Sequence, residues 1–343
     1  MKYVEALSHG LVTAMAEDPN IFVTGIAADY SSGLFGSTTE ALDRFGPSRV
    51  FDAPAMENAL TGIAIGAAAS GKRPVIVHPR CDFMFLALDQ LINLAAKWRY
   101  MYAGAAGAMP IVVRAVIGKG WGQGATHSQS LHTILAHFPG LVVAMPATVK
   151  AAQQLTYSAL KGSSPTIILE HRSLFGLEGE ASETPEVVPF GQAEILREGN
   201  DVTIVATSAM VQESIRAADE LASRGISVEV IDPRTIRPLD EKTILDSVRK
   251  TGRLLAADVT WESCGFASEV VALAAEKAFE HMKAPARRLC LANCPAPVSM
   301  PLEEAFYPKA DTIAAAVSAM VGADASAGSF AHLTVQDEFK GPY

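Results

Sequence analysis

Glu57 closes the stretch Val50-Phe51-Asp52-Ala53-Pro54-Ala55-Met56-Glu57 and stands just ahead of a run of small residues, Ala59-Leu60-Thr61-Gly62-Ile63-Ala64-Ile65-Gly66-Ala67-Ala68. A carboxylate brought by a Pro-containing turn to the start of a helix can exchange a proton with a ligand. It can equally sit there for the helix dipole alone, an interaction of about 0.3–1 kcal/mol, and taken by itself that is the simpler account. A second cluster, Gly118-Lys119-Gly120-Trp121-Gly122-Gln123-Gly124-Ala125-Thr126-His127-Ser128-Gln129, has glycine at alternate positions before a histidine. Such a backbone turns sharply or lies close to something. It can present His127 to a ligand, and histidine exchanges protons near neutral pH. A plain solvent loop leaves Trp121 unexplained. The third cluster, His78-Pro79-Arg80-Cys81-Asp82-Phe83, directly follows a predicted strand. Ligands of open parallel sheets sit outside the carboxyl ends of the strands. A local ion pair through Arg80 or Asp82, with Phe83 in the core, is an equally good reading of that cluster.

The elements that must position these residues are legible as short apolar runs separated by helical stretches. Strands are expected at 21–24, 74–77, 111–114, 141–144 and 166–169, with helices at 59–70, 85–100 and 149–160. Continuous apolar strands alternating with helices imply an α/β fold, a mostly parallel sheet flanked by helices on both faces. A Glu-, Gly-, Ser- and Pro-rich connection at 178–189 ends this pattern, and a second one follows. It has strands at 202–206, 227–231 and 253–257 and helices at 211–224, 240–250 and 267–279, with Gly225 as a helix stop. Two α/β domains, 1–185 and 186–322, are therefore expected, followed by a tail at 323–343 that is loosely ordered or docked on a partner.

Composition narrows the function. The 343 residues are 49% hydrophobic and 19% charged, which suits large cores rather than global disorder. A net charge of −9 and no basic run longer than Arg287-Arg288 argue against nucleic acid as the main partner. No basic segment followed by an apolar one opens the chain, and the longest small-apolar run is too short for a bilayer, so a cytoplasmic protein is expected. Cys81, Cys264, Cys290 and Cys294 fit neither a disulfide framework nor a paired zinc motif. No Gly-x-Gly-x-x-Gly follows a strand and no Walker motif is present.

Taken together, the motifs resemble one family: the β subunits of thiamine-diphosphate-dependent 2-oxoacid dehydrogenase first components, of the pyruvate and branched-chain type, in the transketolase-like superfamily. The resemblance runs from the N-terminus to about residue 320. It is carried by Asp52-Ala53-Pro54-Ala55-Met56-Glu57, Gly62 to Ala68, Asp89-Gln90 with Asn93 and Ala95-Ala96-Lys97, and Pro110-Ile111-Val112 with Arg114. His127-Ser128-Gln129, Phe138-Pro139-Gly140-Leu141, Pro165 with Glu170, and Arg234-Thr235-Ile236-Arg237-Pro238-Leu239-Asp240 complete it. These motifs are specific for family and weak for substrate.

The resemblance implies a transketolase-like pyrimidine-binding domain followed by a transketolase C-terminal-like domain that mainly builds a subunit interface, with Asp258 and Trp261 near it and without catalytic role. It implies a cofactor shared between subunits. An α partner binds the diphosphate and Mg2+ through a Gly-Asp-Gly segment, which this chain lacks, in an α2β2 heterotetramer. Glu57 takes the position of the acid that touches the aminopyrimidine and relays its proton. Phe83 takes the aromatic position against the pyrimidine, and His127 the histidine on the thiazolium and substrate side. Ala55 stands where a larger aliphatic residue is common beside the pyrimidine. His78 and Arg80 replace an apolar, aromatic segment, and such a basic pair is suited to a substrate carboxylate, phosphate or polar sugar, or to docking the α subunit. The implied reaction is decarboxylation of a 2-oxoacid with transfer of the acyl unit to a lipoyl acyltransferase or another acceptor. Split transketolase or carboligase chemistry on a two-carbon ketol unit is the alternative that the polar 78–82 segment favours. A non-catalytic assembly subunit is a third, against which Glu57, Phe83 and His127 together argue.

Overall fold

The computed structural model describes residues 1–30, 33–119 and 122–324. Trp121 and nearly all of the 323–343 tail lie outside the described residues. The chain divides into two compact units, one running to Phe190 and one beginning at Gly191, with the glycines just ahead of Ala125 grouped with the second.

The first unit opens with α1 (Tyr3–Glu17) and β1 (Ile21–Gly25), then α2 (Thr39–Phe45), β2 (Val50–Asp52), α3 (Glu57–Ala69), β3 (Arg73–His78) and α4 (Cys81–Met84). It continues through α5 (Trp98–Met101), β4 (Val112–Ile117), α6 (His132–Ala136), β5 (Val142–Ala144), α7 (Val149–Lys161) and β6 (Thr166–His171). Within this unit the strands lie in the order β5-β6-β4-β3-β1-β2 and every pair is parallel. One row of the register runs Val23, Val75, Val112, Thr166. β4 and β6 are buried along their whole lengths, which is why their sequences are apolar without alternation. The exception is a centre of charge: Arg114 on β4 and Glu170 on β6 meet at 2.5 Å, both fully buried. Arg114 also donates to the Ser37 hydroxyl at 2.8 Å.

α1 is an element that the reading of apolar runs passes over. It buries Tyr3, Leu7, Leu11 and Met15, spaced for one helix face, and it packs on α7. A Cβ at Gly10 would lie 2.6 Å from the Gln153 carbonyl oxygen, so glycine is what lets the two helices approach. The single helix expected over 85–100 is corrected to three pieces: a 3-10 turn at Phe85–Ala87, a π-helical turn at Asp89–Ala95, and α5. The physical reason comes from α3. The Asn58 side chain donates to the Leu86 backbone carbonyl at 3.3 Å, competing with that carbonyl's helical partner, and accepts from the Gln90 side chain at 3.1 Å.

The second unit comprises β7 (Glu194–Arg197), β8 (Val202–Ala206), α8 (Ala209–Ser223), β9 (Val228–Asp232), β10 (Thr235–Arg237), α9 (Glu241–Thr251), β11 (Leu254–Trp261), α10 (Phe266–Lys277), β12 (Arg287–Leu291), α11 (Met300–Phe306) and α12 (Ala310–Val321). Its sheet has the order β12-β11-β8-β9-β7, with only β7 antiparallel to its neighbour. Asp240 starts α9 by accepting the Thr243 amide at 3.1 Å and also accepts the Ala193 amide at 3.0 Å. Buried Asp258 accepts from the Thr207 hydroxyl at 2.7 Å and the Ala267 amide at 3.3 Å, fixing the start of α10. The glycine pattern ahead of His127 also finds its reason in this unit. A Cβ at Gly122 would lie 2.7 Å from the Val298 carbonyl oxygen, and one at Gly124 would lie 2.6 Å from the Val298 side chain. Cys81, Cys264, Cys290 and Cys294 are all free thiols. Among the described residues no helix is long and apolar enough to cross a membrane.

Candidate active site

The turn before Glu57 is built at the carboxyl ends of β1 and β2. Gly25 closes β1 at φ 149°, where a Cβ would lie 2.2 Å from the Val77 carbonyl oxygen, so no other residue fits there. Beyond it, Asp52 Oδ1 accepts the Ala27 amide at 2.6 Å and the Ala53 amide donates to Gly25 at 3.1 Å. Pro54 and Met56 form a tight turn closed at 2.7 Å. The next residue, Glu57, is the first of α3.

Glu57 is only 7% exposed, although Met56 before it is 54% exposed and Ala55 is exposed as well. Among the described residues none hydrogen-bonds its carboxylate. Most of the residue is covered, but neither carboxylate oxygen is enclosed, so solvent reaches the acid group itself. The carboxylate is therefore open to a donor from outside the chain.

The second wall starts at the carboxyl end of β3. Pro79 and Arg80 lead into α4, whose Cys81 and Met84 are buried while Phe83 is 40% exposed. His127 meets Phe83 edge to face, with ring centroids 5.1 Å apart and planes at 74°. The Thr126 hydroxyl lies 2.9 Å from His127 Nδ1. Gln129 Nε2 donates to Asp82 Oδ1 at 2.8 Å, and the Gln129 amide reaches the same oxygen at 3.4 Å. Burial raises the Asp82 pKa, while Gln129 and the nearby Arg80 charge oppose that rise. Ser128 and Ser130 are buried with hydroxyls that have no partner among the described residues.

Glu57 and Phe83 share one rim of the sheet. Asn58, next to Glu57, bonds Leu86, three residues beyond Phe83. His78 and Arg80 are placed differently, facing the protein interior. His78 is 1% exposed, and burial pushes its pKa down to about 4, so the ring is neutral at pH 7. The Arg80 guanidinium lies 5.7 Å above the Phe35 ring, donates to the Pro79 carbonyl at 2.9 Å, and has its pKa lowered to about 10 by burial. Arg172 packs on the same ring at 5.8 Å.

Reading the chain residue by residue missed two polar constructions here. One is the Asp82–Gln129 pair. The other runs along the π-helical turn, where Lys97 donates to Asn93 at 2.8 Å, Asn93 to Asp89 at 2.7 Å, and Gln90 to Asp89 at 3.2 Å and to Asn58. A Cβ at Gly62 would lie 3.2 Å from Gln90 Oε1, so the small residue leaves room for that side chain. The spacing of the Asp89, Asn93 and Lys97 polar groups was the available signal; their link to α3 had none.

Residues 1–178 match the pyrimidine-binding domain of transketolase, and residues 191–313 match the transketolase C-terminal domain. The β subunit of acetoin:2,6-dichlorophenolindophenol oxidoreductase from Cupriavidus necator is 39% identical over 320 residues, covering 91% of this chain and 94% of its own. The β-2 subunit of the mitochondrial pyruvate dehydrogenase E1 component from Oryza sativa is 40% identical over 313 residues, covering 90% of this chain and 83% of its own. Among solved structures, a split-gene transketolase described as an inactive β4 tetramer superposes with a TM-score of 0.72 at 23% identity, covering 94% of this chain and 98% of its own, a likeness of fold. The chain belongs to the transketolase-like family, as a β subunit of the thiamine-diphosphate-dependent 2-oxoacid and acetoin dehydrogenase group.

Proposed function

We propose that this chain supplies the proton-handling half of a thiamine diphosphate site in an enzyme that decarboxylates a 2-oxoacid and passes on the acyl unit. The observation that carries the reading is Glu57: nearly buried, first in its helix and unpartnered among the described residues. These residues fit the pyrimidine end of the cofactor, with an acid for a ring nitrogen and, on the same rim, an exposed aromatic face. They do not fit its other end. Among the described residues no cluster of acidic, histidine or cysteine side chains could hold a metal ion, and the sequence has no Gly-Asp-Gly. We therefore assign the diphosphate and its Mg2+ to an α-type partner.

When bound, thiamine diphosphate supplies a nucleophilic ring carbon that adds to a 2-oxo carbonyl. Glu57 would meet the pyrimidine ring nitrogen and exchange a proton with it. Phe83 offers its exposed face to the pyrimidine, and the small side chain of Ala55 leaves space beside it. His127, with Nδ1 engaged by Thr126, moves a proton through Nε2 on the substrate side. His78 and Arg80 face inward, and we assign them to holding the 78–83 segment rather than to substrate contact.

Ile63, Leu86, Tyr100, Met101 and Tyr102 are exposed along α3 to α5, with Tyr100 91% exposed. An apolar surface of that kind suits subunit contacts, and we assign it to contact with the α-type partner in an α2β2 assembly; a cytoplasmic location is part of the same proposal. Two-carbon transfer from a hydroxylated ketol is the second reading, since the family motifs are weak for substrate. Co-expression with the α-type chain, followed by mass spectrometry of cofactor adducts with 2-oxoacids and ketoses, separates the two. A purified pair that forms no adduct with either class sinks both.

A further inference from the structure

We propose that Asp82 is a positioning residue for His127, acting through Gln129. The proposal rests on the role given to His127 above, and its argument is geometric. Phe83 and His127 belong to segments with little regular structure to hold them. α4 spans Cys81–Met84, and a helix of one turn has almost no stability of its own. The stretch from His127 to Leu131 lies between a 3-10 turn ending at Thr126 and α6. The Asp82–Gln129 contact joins these two segments one residue from Phe83 and two residues from His127.

One carboxylate oxygen takes both the side-chain and the backbone donor of Gln129, at 2.8 and 3.4 Å. Such a chelate fixes the peptide as well as the side chain, and a peptide fixed at 129 restricts where the imidazole two residues earlier can point. Cys81, fully buried, anchors the other end. Stability alone does not explain a carboxylate in this position. Asp82 Oδ2 is enclosed without a hydrogen bond among the described residues, which costs stability even with the Arg80 charge nearby. The second oxygen contributes nothing to holding Gln129. An asparagine carbonyl would accept the same two donors, so position rather than charge is the property the pair supplies.

The test uses the full chain co-purified with its α-type partner. Asp82→Ala should lower kcat by roughly 10- to 100-fold, the equivalent of losing a hydrogen bond to a charged group, with the KM for thiamine diphosphate little changed. Asp82→Asn should restore most of the loss. In a His127→Ala background, Asp82→Ala should have no further effect, because the residue through which it acts is gone. An equal loss in both backgrounds, or an asparagine variant as poor as the alanine one, overturns the proposal. Amide hydrogen exchange over 126–131 needs no turnover and decides the matter even if the wild-type pair is inactive on every substrate tried. Faster exchange in Asp82→Ala than in the wild type and Asp82→Asn supports the clamp. Unchanged exchange refutes it, whereas an inactive wild type refutes only the enzymatic reading.

Discussion

The His127 ring stands edge-on to the Phe83 ring, with centroids 5.1 Å apart and planes at 74°. The contact joins a residue just beyond β3 to one beyond β4, at the carboxyl edge where parallel sheets place their ligands. Edge-to-face pairs of this kind contribute about 0.5–1.5 kcal/mol beyond burial, enough to favour one orientation of the imidazole.

The two rings should separate kinetically. Phe83→Ala removes a face for the pyrimidine and should weaken thiamine diphosphate binding by roughly 10-fold, the scale of one lost aromatic contact. His127→Ala should leave binding nearly intact and lower turnover by about 10²- to 10⁴-fold, the usual range for a positioned proton-transfer group. Cofactor titration followed by steady-state rates measures both. Wild-type cofactor affinity in Phe83→Ala would remove Phe83 from the site.

Glu57→Gln keeps size and helix position while removing the exchangeable acid. Its effect on folding should be at most about 1 kcal/mol, the dipole interaction of a first-turn carboxylate. Its effect on cofactor activation should be much larger, at least about 100-fold, because the group that holds the proton is lost. Hydrogen–deuterium exchange at the reactive thiazolium carbon, read by quenched-flow NMR in the α-paired enzyme, isolates that step from substrate chemistry. Exchange at the wild-type rate would return Glu57 to the simpler helix-dipole account.

How much of this was legible varied with how local the cause was. β4 and β6 declared themselves because both faces are covered and their apolar runs are continuous. β2 did not, since only Val50 of its three residues is buried. β12 is half exposed at a sheet edge and carries Arg287-Arg288, so its pattern is not that of a core strand. The break in the 85–100 helix depends on Asn58, a side chain from another element. At the candidate site, the turn that sets Glu57 at the start of α3 was legible from residue type, whereas its role came only from the family resemblance. The inward placement of His78 and Arg80 was not, because the covering ring at Phe35 lies on a segment far away in sequence. The Asp82–Gln129 pair was hidden for the same reason.

The Arg114–Glu170 pair should behave as a buried ion pair does when one partner is deleted. Both side chains are fully enclosed and the contact is 2.5 Å. Glu170→Ala should therefore cost about 3–5 kcal/mol in urea unfolding by leaving a guanidinium uncompensated. An Arg114→Met, Glu170→Leu double variant should recover much of that loss, since two apolar groups remove both desolvation penalties. Equal losses in the single and double variants would mean that strand packing, not charge, is what the pair supplies.

Acid should destabilise the first unit through its buried histidines. Burial pushes His78 from 6.5 down to about 4 and His171, with Lys119 and Arg172 nearby, down to about 3. The unfolded chain takes up these protons as pH falls below about 6.5 while the native chain does not, so stability present above that pH is lost on descent toward the native values. Asp232 works in the opposite sense. Burial raises it to about 7, so its contribution is present at low pH and is lost as pH rises through 7. His78→Phe isolates one histidine from that sum. Between about pH 7.5 and pH 5 the variant should gain roughly 2 kcal/mol over the wild type, at about 1.4 kcal/mol for each pH unit below 6.5. Urea titrations at the two pH values measure the difference directly. Parallel stability profiles would show that His78 takes up its proton in the native state, and that its surroundings are wetter than its burial implies.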